Sequence, residues 1–252
     1  MNPEEVAGAL IERFATEVMA AVPLVALWVH GSLASGDFQL RRSDLDLLAV
    51  IAETPDRDQA RRLTAVHRGL TDDHPLAARL HCSYLVKNHL HDPEREHLTW
   101  AFSELYHRPV SPVIRRELLR DGVTLYGPGP TGMIPPVTDG ELTRFVRGEL
   151  DGYWRPLTAR LRPWLTDDWV DSGVLTLGRA TVTLRGGGMI SKREAFPVLL
   201  ELGAHPDLVG DIYDRRYGGP VRRSPAWRLR RARLARAFVG QGIDHALALP
   251  SL

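Results

Sequence analysis

The sequence has 252 residues, enough for one large domain or two small ones. Hydrophobic residues make up 44% of it and the formal net charge is +1, a balance typical of soluble globular proteins. General nucleic-acid-binding proteins carry a strong basic excess, which this sequence lacks. No apolar run approaches the roughly 20 residues of a membrane-spanning helix. We therefore expect a soluble protein that binds neither nucleic acid nor a membrane.

The first predicted element is a helix at the N-terminus. Asn2 can cap it, Pro3 suits its first position and Pro23 ends it. Acidic residues stand where a signal peptide would carry basic ones, and the single Cys82 excludes an internal disulfide, so we expect a cytoplasmic protein. The following predicted elements are strands at LVALWVHG (24–31) and DLDLLAVIA (44–52), a helix at DRDQARRLTAVHRGL (56–70) and a strand at ARLHCSYLV (78–86).

The composition changes in the middle of the chain. Ser111 caps a short helix through Leu119, and VTLYG (123–127) can form a last strand. The Pro- and Gly-rich segment Gly127–Gly140 is predicted to be a linker. After it the pattern is helical, with capping boxes and a Ser-Pro helix start. The fold class predicted is α/β plus α, with a mixed sheet and flanking helices followed by an all-helical domain. The residues that mark these later helix starts are Thr138 with Glu141, Ser191 with Glu194, and Ser224 with Pro225.

The stretch WVHGSLASGDFQLRRSDLDLLAV (28–50) carries the strongest chemical signal. On a strand, Asp44 and Asp46 point to the same face, where two carboxylates repel each other unless a cation lies between them. A lone Asp-x-Asp is usually a solvated turn, but this one is embedded in apolar strand residues. Gly31-Ser32 follows a strand and can offer backbone N–H groups and a hydroxyl to a phosphate. Together these features predict a nucleoside triphosphate held through Mg²⁺.

Three stretches of the sequence resemble known families, and together they extend over nearly the whole chain. HGSLASGDFQLRRSDLDLLAV (30–50) resembles the signature of the DNA polymerase β-like nucleotidyltransferases. VLTLGRATVTLRGGGMISKREA (174–195) resembles the helical domain of the streptomycin/spectinomycin adenylyltransferases, and LLRDGVTLYGP (118–128) matches how that family closes its first domain. The resemblance implies a nucleotidyltransferase domain at 1–130 and a helical domain at 138–252 that completes the nucleotide and acceptor cleft. It also implies a monomeric enzyme that confers antibiotic resistance by transferring AMP from ATP to an aminoglycoside.

The resemblance assigns roles to residues in both motifs. It implies that Asp44 and Asp46 hold Mg²⁺ and that Gly31 and Ser32 hold the triphosphate. By position in the second motif, Arg179 would reach the nucleotide and Lys192 the phosphates. The alternatives are a buried structural pair for the arginine and an ordinary exposed helix position for the lysine.

One position departs from the family pattern. Members carry a third acidic residue on the strand after the Asp-x-Asp unit, where it binds metal and acts as general base. The matching position here is His81, and no Asp or Glu lies between Arg79 and Asn88. A histidine can accept a proton but does not supply a carboxylate charge. Glu104 could replace the acid from another element, or His81 could be a space-filling strand residue.

An aminoglycoside acceptor is a polycation and needs carboxylates and an aromatic face. Asp167, Asp168, Trp169 and Asp171 stand just before the second motif, on the side where the family binds its antibiotic, and Trp100 could stack on the acceptor. The alternative is a solvated acidic loop anchored by its tryptophan.

Two rival functions stay open at this point. One is a nucleotidyltransferase that modifies a protein partner, although proteins of that kind are usually little more than the core domain. The other is a catalytically weak nucleotide-binding protein, which His81 favours.

Overall fold

The structure is a computed structural model that describes residues 3–40, 42–218 and 223–250. Its contacts divide the chain into two compact units, Met1–Val137 and Thr138–Leu252. The predicted helix cap Asn2 lies outside the described residues. Among the described helices, none combines the length and the apolar character that crossing a membrane requires. The predicted domain limits, 1–130 and 138–252, stay predictions.

The first unit is built on a six-stranded sheet with the strand order β5-β4-β3-β2-β1-β6. Strands β2 and β3 run parallel, whereas each of the other neighbouring pairs is antiparallel. The sheet is therefore mixed, as the sequence predicts. The strands are β1 (Leu24–His30), β2 (Leu45–Ile51), β3 (Leu80–Val86), β4 (Glu96–Ala101), β5 (Glu104–Pro109) and β6 (Val123–Tyr126).

Helices cover both faces of this sheet. Alternating side chains of β2 enter two different cores: Leu47 packs with α1 and α3, whereas Leu48 packs on the side of α4. Cys82 on β3 belongs to the first core and is buried. Because Asp46 alternates with Leu47, its side chain belongs to the α4 side of the sheet. The helices of this unit are α1 (Pro3–Ala21), α2 (Gly31–Ala34), α3 (Arg57–Asp73) and α4 (Pro112–Asp121).

The segment predicted as a linker is largely part of the first unit. The indole Nε1 of Trp28 donates to the carbonyl of Pro128 at 2.8 Å, and Arg116 donates to the carbonyl of Val137 at 2.6 Å. Ile134 is buried in the core on the α4 side. Residues 128–137 form neither helix nor strand, as their Pro and Gly content predicts, but they pack against the first unit and bury apolar side chains there.

Strands β4 and β5 form a hairpin that the sequence analysis does not predict. They are joined by Phe102 and Ser103, whose φ angles are +53° and +63°. Two consecutive positive φ angles are the pattern of a type I′ turn, which normally selects Asn and Gly. Phe102 stands 75% exposed at the tip of this turn.

The second unit consists of helices arranged around α7. That helix packs against α5, α8 and α10. Two predicted caps are confirmed, because Thr138 accepts from the backbone N–H of Glu141 and Ser224 from that of Trp227. The helices are α5 (Asp139–Glu149), a π-helical turn (Leu150–Trp154), α6 (Arg155–Thr158), α7 (Asp167–Gly186), α8 (Ala195–Glu201), α9 (Pro206–Tyr217) and α10 (Pro225–Leu247).

A buried ion network joins α9 to α10 around one carboxylate. Asp211 accepts hydrogen bonds from Arg215, from Arg223 at 2.7 Å and from the Trp227 indole at 3.0 Å. Arg231, which is 1% exposed, lies 3.5 Å from the same carboxylate. A buried carboxylate that pairs with several arginines stabilises a helical unit only while all of these charged partners are present, because removing one leaves an uncompensated buried charge.

Candidate functional site

Polar side chains form a row across one end of the sheet. Asp46 on β2 pairs with His30 on β1 and with His81 on β3. Directly paired residues place their side chains on the same face of a sheet. The Nδ1 atom of His81 lies 3.7 Å from Oδ1 of Asp46, and the Nδ1 atom of His30 lies 3.6 Å from Oε2 of Glu117 on α4. Neither His30 nor Glu117 stands out in the sequence as a site residue, although His30 directly precedes Gly31.

Gly31 lies directly against the carboxylate of Asp46. Its φ angle is +68°, and a Cβ atom at this position would be 2.7 Å from Oδ2 of Asp46. Both the backbone conformation and the close approach therefore require glycine. The sequence motif thus brings the Gly31-Ser32 turn next to the second aspartate. Because α2 is a single turn, its dipole is small, and the turn offers a ligand mainly its N–H groups and the Ser32 hydroxyl.

Asp44 lies immediately before β2 and has a basic neighbour. Oδ1 of Asp44 is 3.4 Å from a guanidinium nitrogen of Arg79, and both side chains are about two-fifths exposed, at 41% and 42%. The same arginine nitrogen lies 3.4 Å from the carbonyl of Arg42. The parallel pairing of β2 with β3 explains the contact, because Leu45 is opposite Leu80. Arg79 was not predicted as a site residue. It can be recognised only when the register of β2 and β3 is known, because that register places Arg79 and His81 opposite Asp44 and Asp46.

The carboxylates of Asp44 and Asp46 suit a cation whose coordination shell is completed by oxygens of a bound ligand. Within the residues that the structure describes, no group of three or more His, Cys, Asp or Glu side chains could hold a metal ion. Mg²⁺ is usually bound by one or two carboxylates and completes its octahedral shell with water and substrate phosphates. Two aspartates beside the Gly31-Ser32 turn match that mode of binding.

His81 and Glu104, the two candidates for the missing third acid, lie at different distances from Asp46. His81 is the direct strand neighbour of Asp46. Glu104 is exposed on β5, three strands away from β2. Strand spacing of about 4.8 Å separates its backbone from that of Asp46 by about 14 Å. The arrangement therefore argues against Glu104 as a replacement ligand, because its side chain cannot span that gap.

Trp100 does not form an exposed stacking surface, so this prediction was wrong. It is 3% exposed and stacks on the His67 ring, with the centroids 4.6 Å apart. Burial lowers the pKa of His67 to about 3, and its Nε2 atom lies 2.7 Å from the Tyr84 hydroxyl. Trp100 faces the first core because it pairs with Cys82. The exposed aromatic ring on this hairpin is Phe102, whose centroid lies 5.0 Å from that of His81.

The acidic cluster of the second unit is the start of α7 and not a loop. Asp171 is paired with Arg215, and Asp167 lies 2.6 Å from Arg231. Burial raises the pKa of Asp171, although the pairing with Arg215 lowers it. Asp171 is therefore engaged in the ion network and not available to a cationic ligand, contrary to the prediction. Asp168 is exposed, and its role stays a prediction.

Arg179 and Lys192 are linked through the segment that precedes α8. Nε of Arg179 donates to the carbonyl of Ile190 at 2.8 Å. The backbone N–H of Ser191 donates to Glu194 at 2.7 Å and the N–H of Glu194 donates to Ser191 at 3.2 Å, so the predicted capping box is confirmed. Lys192 lies within this turn, just before α8. Arg179 therefore fixes the backbone that carries Lys192, whatever else its guanidinium binds.

The fold is similar, over most of its length, to that of an enzyme of known structure. No known family model and no curated protein sequence matches the chain. The structure resembles the crystal structure of spectinomycin adenyltransferase AAD(9) from Enterococcus faecialis with ATP and spectinomycin, with a TM-score of 0.69 and 14% sequence identity. The similarity covers 92% of this chain and 98% of that chain. The chain therefore has the fold of an aminoglycoside adenylyltransferase-like nucleotidyltransferase.

Proposed function

We propose that the protein transfers AMP from ATP to a hydroxyl of an aminoglycoside-like acceptor. The observation that carries this proposal is the contact of Gly31 with the Asp46 carboxylate, with Asp44 two residues before it. This arrangement puts phosphate-binding N–H groups next to a pair of carboxylates suited to Mg²⁺. The enzyme of similar fold, which was crystallised with ATP and spectinomycin, supports the choice of nucleotide and acceptor class. A reaction that uses ATP also fits the predicted cytoplasmic location.

The proposed chemistry is an in-line displacement at the α-phosphorus of ATP. Asp44 and Asp46 bind Mg²⁺, which when bound neutralises charge on the phosphates. The Gly31-Ser32 turn donates hydrogen bonds to phosphate oxygens and orients the triphosphate. The oxygen of the acceptor hydroxyl bonds to the α-phosphorus while His81 accepts the proton of that hydroxyl. Pyrophosphate leaves from the opposite side of the phosphorus.

Residues of the second motif also have proposed roles. We propose that Arg179 and Lys192 bind the nucleotide and its phosphates, as their positions in the second motif suggest. Asp168 is the exposed carboxylate that remains for a cationic acceptor, now that Asp171 is known to pair with Arg215. Trp169 beside it offers an aromatic ring to the same ligand.

The direct test is an adenylylation assay with the purified protein. We would incubate it with labelled ATP, Mg²⁺ and a panel of aminoglycosides that includes spectinomycin and streptomycin, and identify modified acceptors by mass spectrometry. The expected result is an acceptor heavier by one AMP and an equal amount of pyrophosphate. ATP binding without modification of any acceptor would instead favour the second candidate, a catalytically weak nucleotide-binding protein.

Gly31→Ala is expected to weaken ATP binding by about tenfold or more, because the new Cβ would displace the Asp46 carboxylate. The left-handed backbone should also cost about 1–2 kcal/mol of unfolding free energy. Gly36→Ala is the matched control, since Gly36 has a φ angle of +72° but no atom within 4 Å of the added Cβ. Both variants should lose similar stability in urea titrations, and only Gly31→Ala should lose ATP affinity. Equal ATP affinity in both would show that the contact with Asp46 is unimportant.

His81→Glu tests the second candidate. His81 can accept a proton but supplies no carboxylate to the metal, so we expect the natural protein to bind ATP well and transfer AMP slowly. Glutamate would keep a proton acceptor at this position and add a metal ligand, whereas alanine would remove the general base, whose assistance is worth roughly 10²–10⁴-fold. Single-turnover transfer rates should therefore rise in His81→Glu and fall in His81→Ala. A fast natural rate that His81→Ala leaves unchanged would contradict this expectation.

A further inference from the structure

The two aspartates of the site each face a basic residue on the neighbouring strand. Asp46 is paired in register with His81, and Asp44 lies 3.4 Å from Arg79, which ends a short 3₁₀ turn (Pro75–Arg79) directly before β3. Arg79 therefore approaches the site from directly before the strand that carries His81. It brings a permanent positive charge to a position beside the carboxylates to which the resemblance assigns Mg²⁺.

This arginine and a divalent cation would compete for the same carboxylate. Ion pairs between half-exposed side chains are weak, because water screens both charges. A divalent cation with two carboxylates has a stronger attraction and can displace the guanidinium from Asp44. The displaced guanidinium would then lie beside a metal-bound triphosphate. The planar fork of arginine matches the oxygens of a phosphate and forms paired hydrogen bonds with them.

We propose that Arg79 is a phosphate-binding residue that exchanges partners when nucleotide binds. In the nucleotide-free protein it pairs with Asp44, and in the complex with Mg²⁺ and a nucleoside triphosphate it binds phosphate oxygens. This inference rests on the proposed function. Without a triphosphate, a metal ion must displace Arg79 from Asp44 while the guanidinium gains no new partner, so the metal alone binds weakly. A triphosphate supplies that partner, and metal and nucleotide therefore strengthen each other's binding.

The test compares metal binding alone with binding of the metal–nucleotide complex. Binding of Mn²⁺ in the absence of nucleotide is followed by electron paramagnetic resonance, and binding of ATP at saturating Mg²⁺ by calorimetry. Arg79→Gln should bind Mn²⁺ alone several-fold more tightly, because Asp44 loses its competitor, and should bind Mg²⁺–ATP at least tenfold more weakly. Arg79→Lys keeps the charge but loses the fork, so it should keep the weak Mn²⁺ binding and still lose several-fold in ATP affinity.

Arg61→Gln is the matched control, since Arg61 is an exposed arginine on α3 that also pairs with an aspartate, Asp58. It should change neither affinity. If Arg79→Gln strengthens both kinds of binding, Arg79 is only a competitor and the inference is overturned. Unchanged affinities in both Arg79 variants overturn it as well. If Arg79→Gln does not fold, Arg79→Lys decides alone: an ATP affinity equal to that of the natural protein overturns the inference. A natural protein that binds no ATP in the presence of Mg²⁺ rejects the proposed function together with the inference.

Discussion

Replacing Asp44 and Asp46 together by asparagine is expected to abolish metal-dependent ATP binding. Asparagine keeps the shape and one oxygen of each side chain but removes both negative charges, which are the main attraction for Mg²⁺. Without the metal, the negative charges of the phosphates would be stabilised only by hydrogen-bond donors of the protein, such as the N–H groups and the hydroxyl of the Gly31-Ser32 turn. Calorimetric titration with ATP and Mg²⁺ should therefore show a loss of at least about 100-fold in affinity, or about 2.7 kcal/mol. AMP transfer should fall below detection.

The control removes two charges elsewhere on the same unit. Asp58→Asn with Asp72→Asn changes two exposed aspartates of α3, and ATP affinity should remain that of the natural protein. A chelator added to the natural protein should reproduce the effect of the Asp44 and Asp46 changes. If ATP binds equally well in the double variant and in the presence of chelator, the carboxylate pair does not hold a metal.

Asp211→Asn is expected to be the most destabilising single change in the second unit. Asp211 is almost fully buried and pairs with Arg215, Arg223 and Arg231. Removing its charge takes away the carboxylate that these arginines share and leaves each of them with one other acidic partner. Breaking buried pairs costs about 3–5 kcal/mol, and urea unfolding followed by circular dichroism should show a loss of this size. A loss below about 1 kcal/mol would mean that the remaining pairs are sufficient to hold the arginines.

Asp214→Asn is the matched control for this change. Asp214 lies on the same helix and pairs with Arg223 at 3.2 Å, but its side chain is 54% exposed. Such a surface pair is worth about 0–1 kcal/mol, so the unfolding free energy should change little.

The Asp211 carboxylate should make the second unit sensitive to acid. Burial by itself would raise the pKa of Asp211, but hydrogen bonds and charge from Arg223 and Arg215 outweigh it and lower the pKa. A carboxyl whose pKa is lower in the folded state stabilises the fold above its unfolded pKa of about 4. This stabilisation is lost as the pH falls through the lower pKa of the folded state.

The geometry of the first motif could be predicted from the sequence because it depends on local structure. Strand alternation places Asp44 and Asp46 on one face, and the pairing of β1 with β2 then brings Gly31 against Asp46. The strand at 78–86 could also be predicted from the sequence, but His81 was singled out only because the family resemblance places an acidic residue at that position. Arg79 was missed, since its importance depends on the register between two strands and on no pattern within either.

The wrong predictions have a different origin. Trp100 and Asp171 were judged by residue type, but their roles depend on distant partners, His67 in one case and Arg215 in the other. The β4–β5 hairpin was missed because Phe102-Ser103 lacks the Asn-Gly signature of a type I′ turn. Residues whose neighbours are far apart in sequence cannot be interpreted until the fold is known.

The burial of Cys82 provides a reporter for the strand that carries His81. Burial raises the pKa of its thiol, and only the thiolate reacts with reagents such as disulfides or maleimides. Labelling therefore requires a transient opening of β3, and its rate measures the free energy of that opening. Because Cys82 is the only cysteine in the sequence, no other thiol contributes to the signal. A ligand that binds beside His81 only when the sheet is closed would lower the equilibrium constant for the opening of β3. The labelling rate would fall by the same factor, so binding can be measured without a turnover assay.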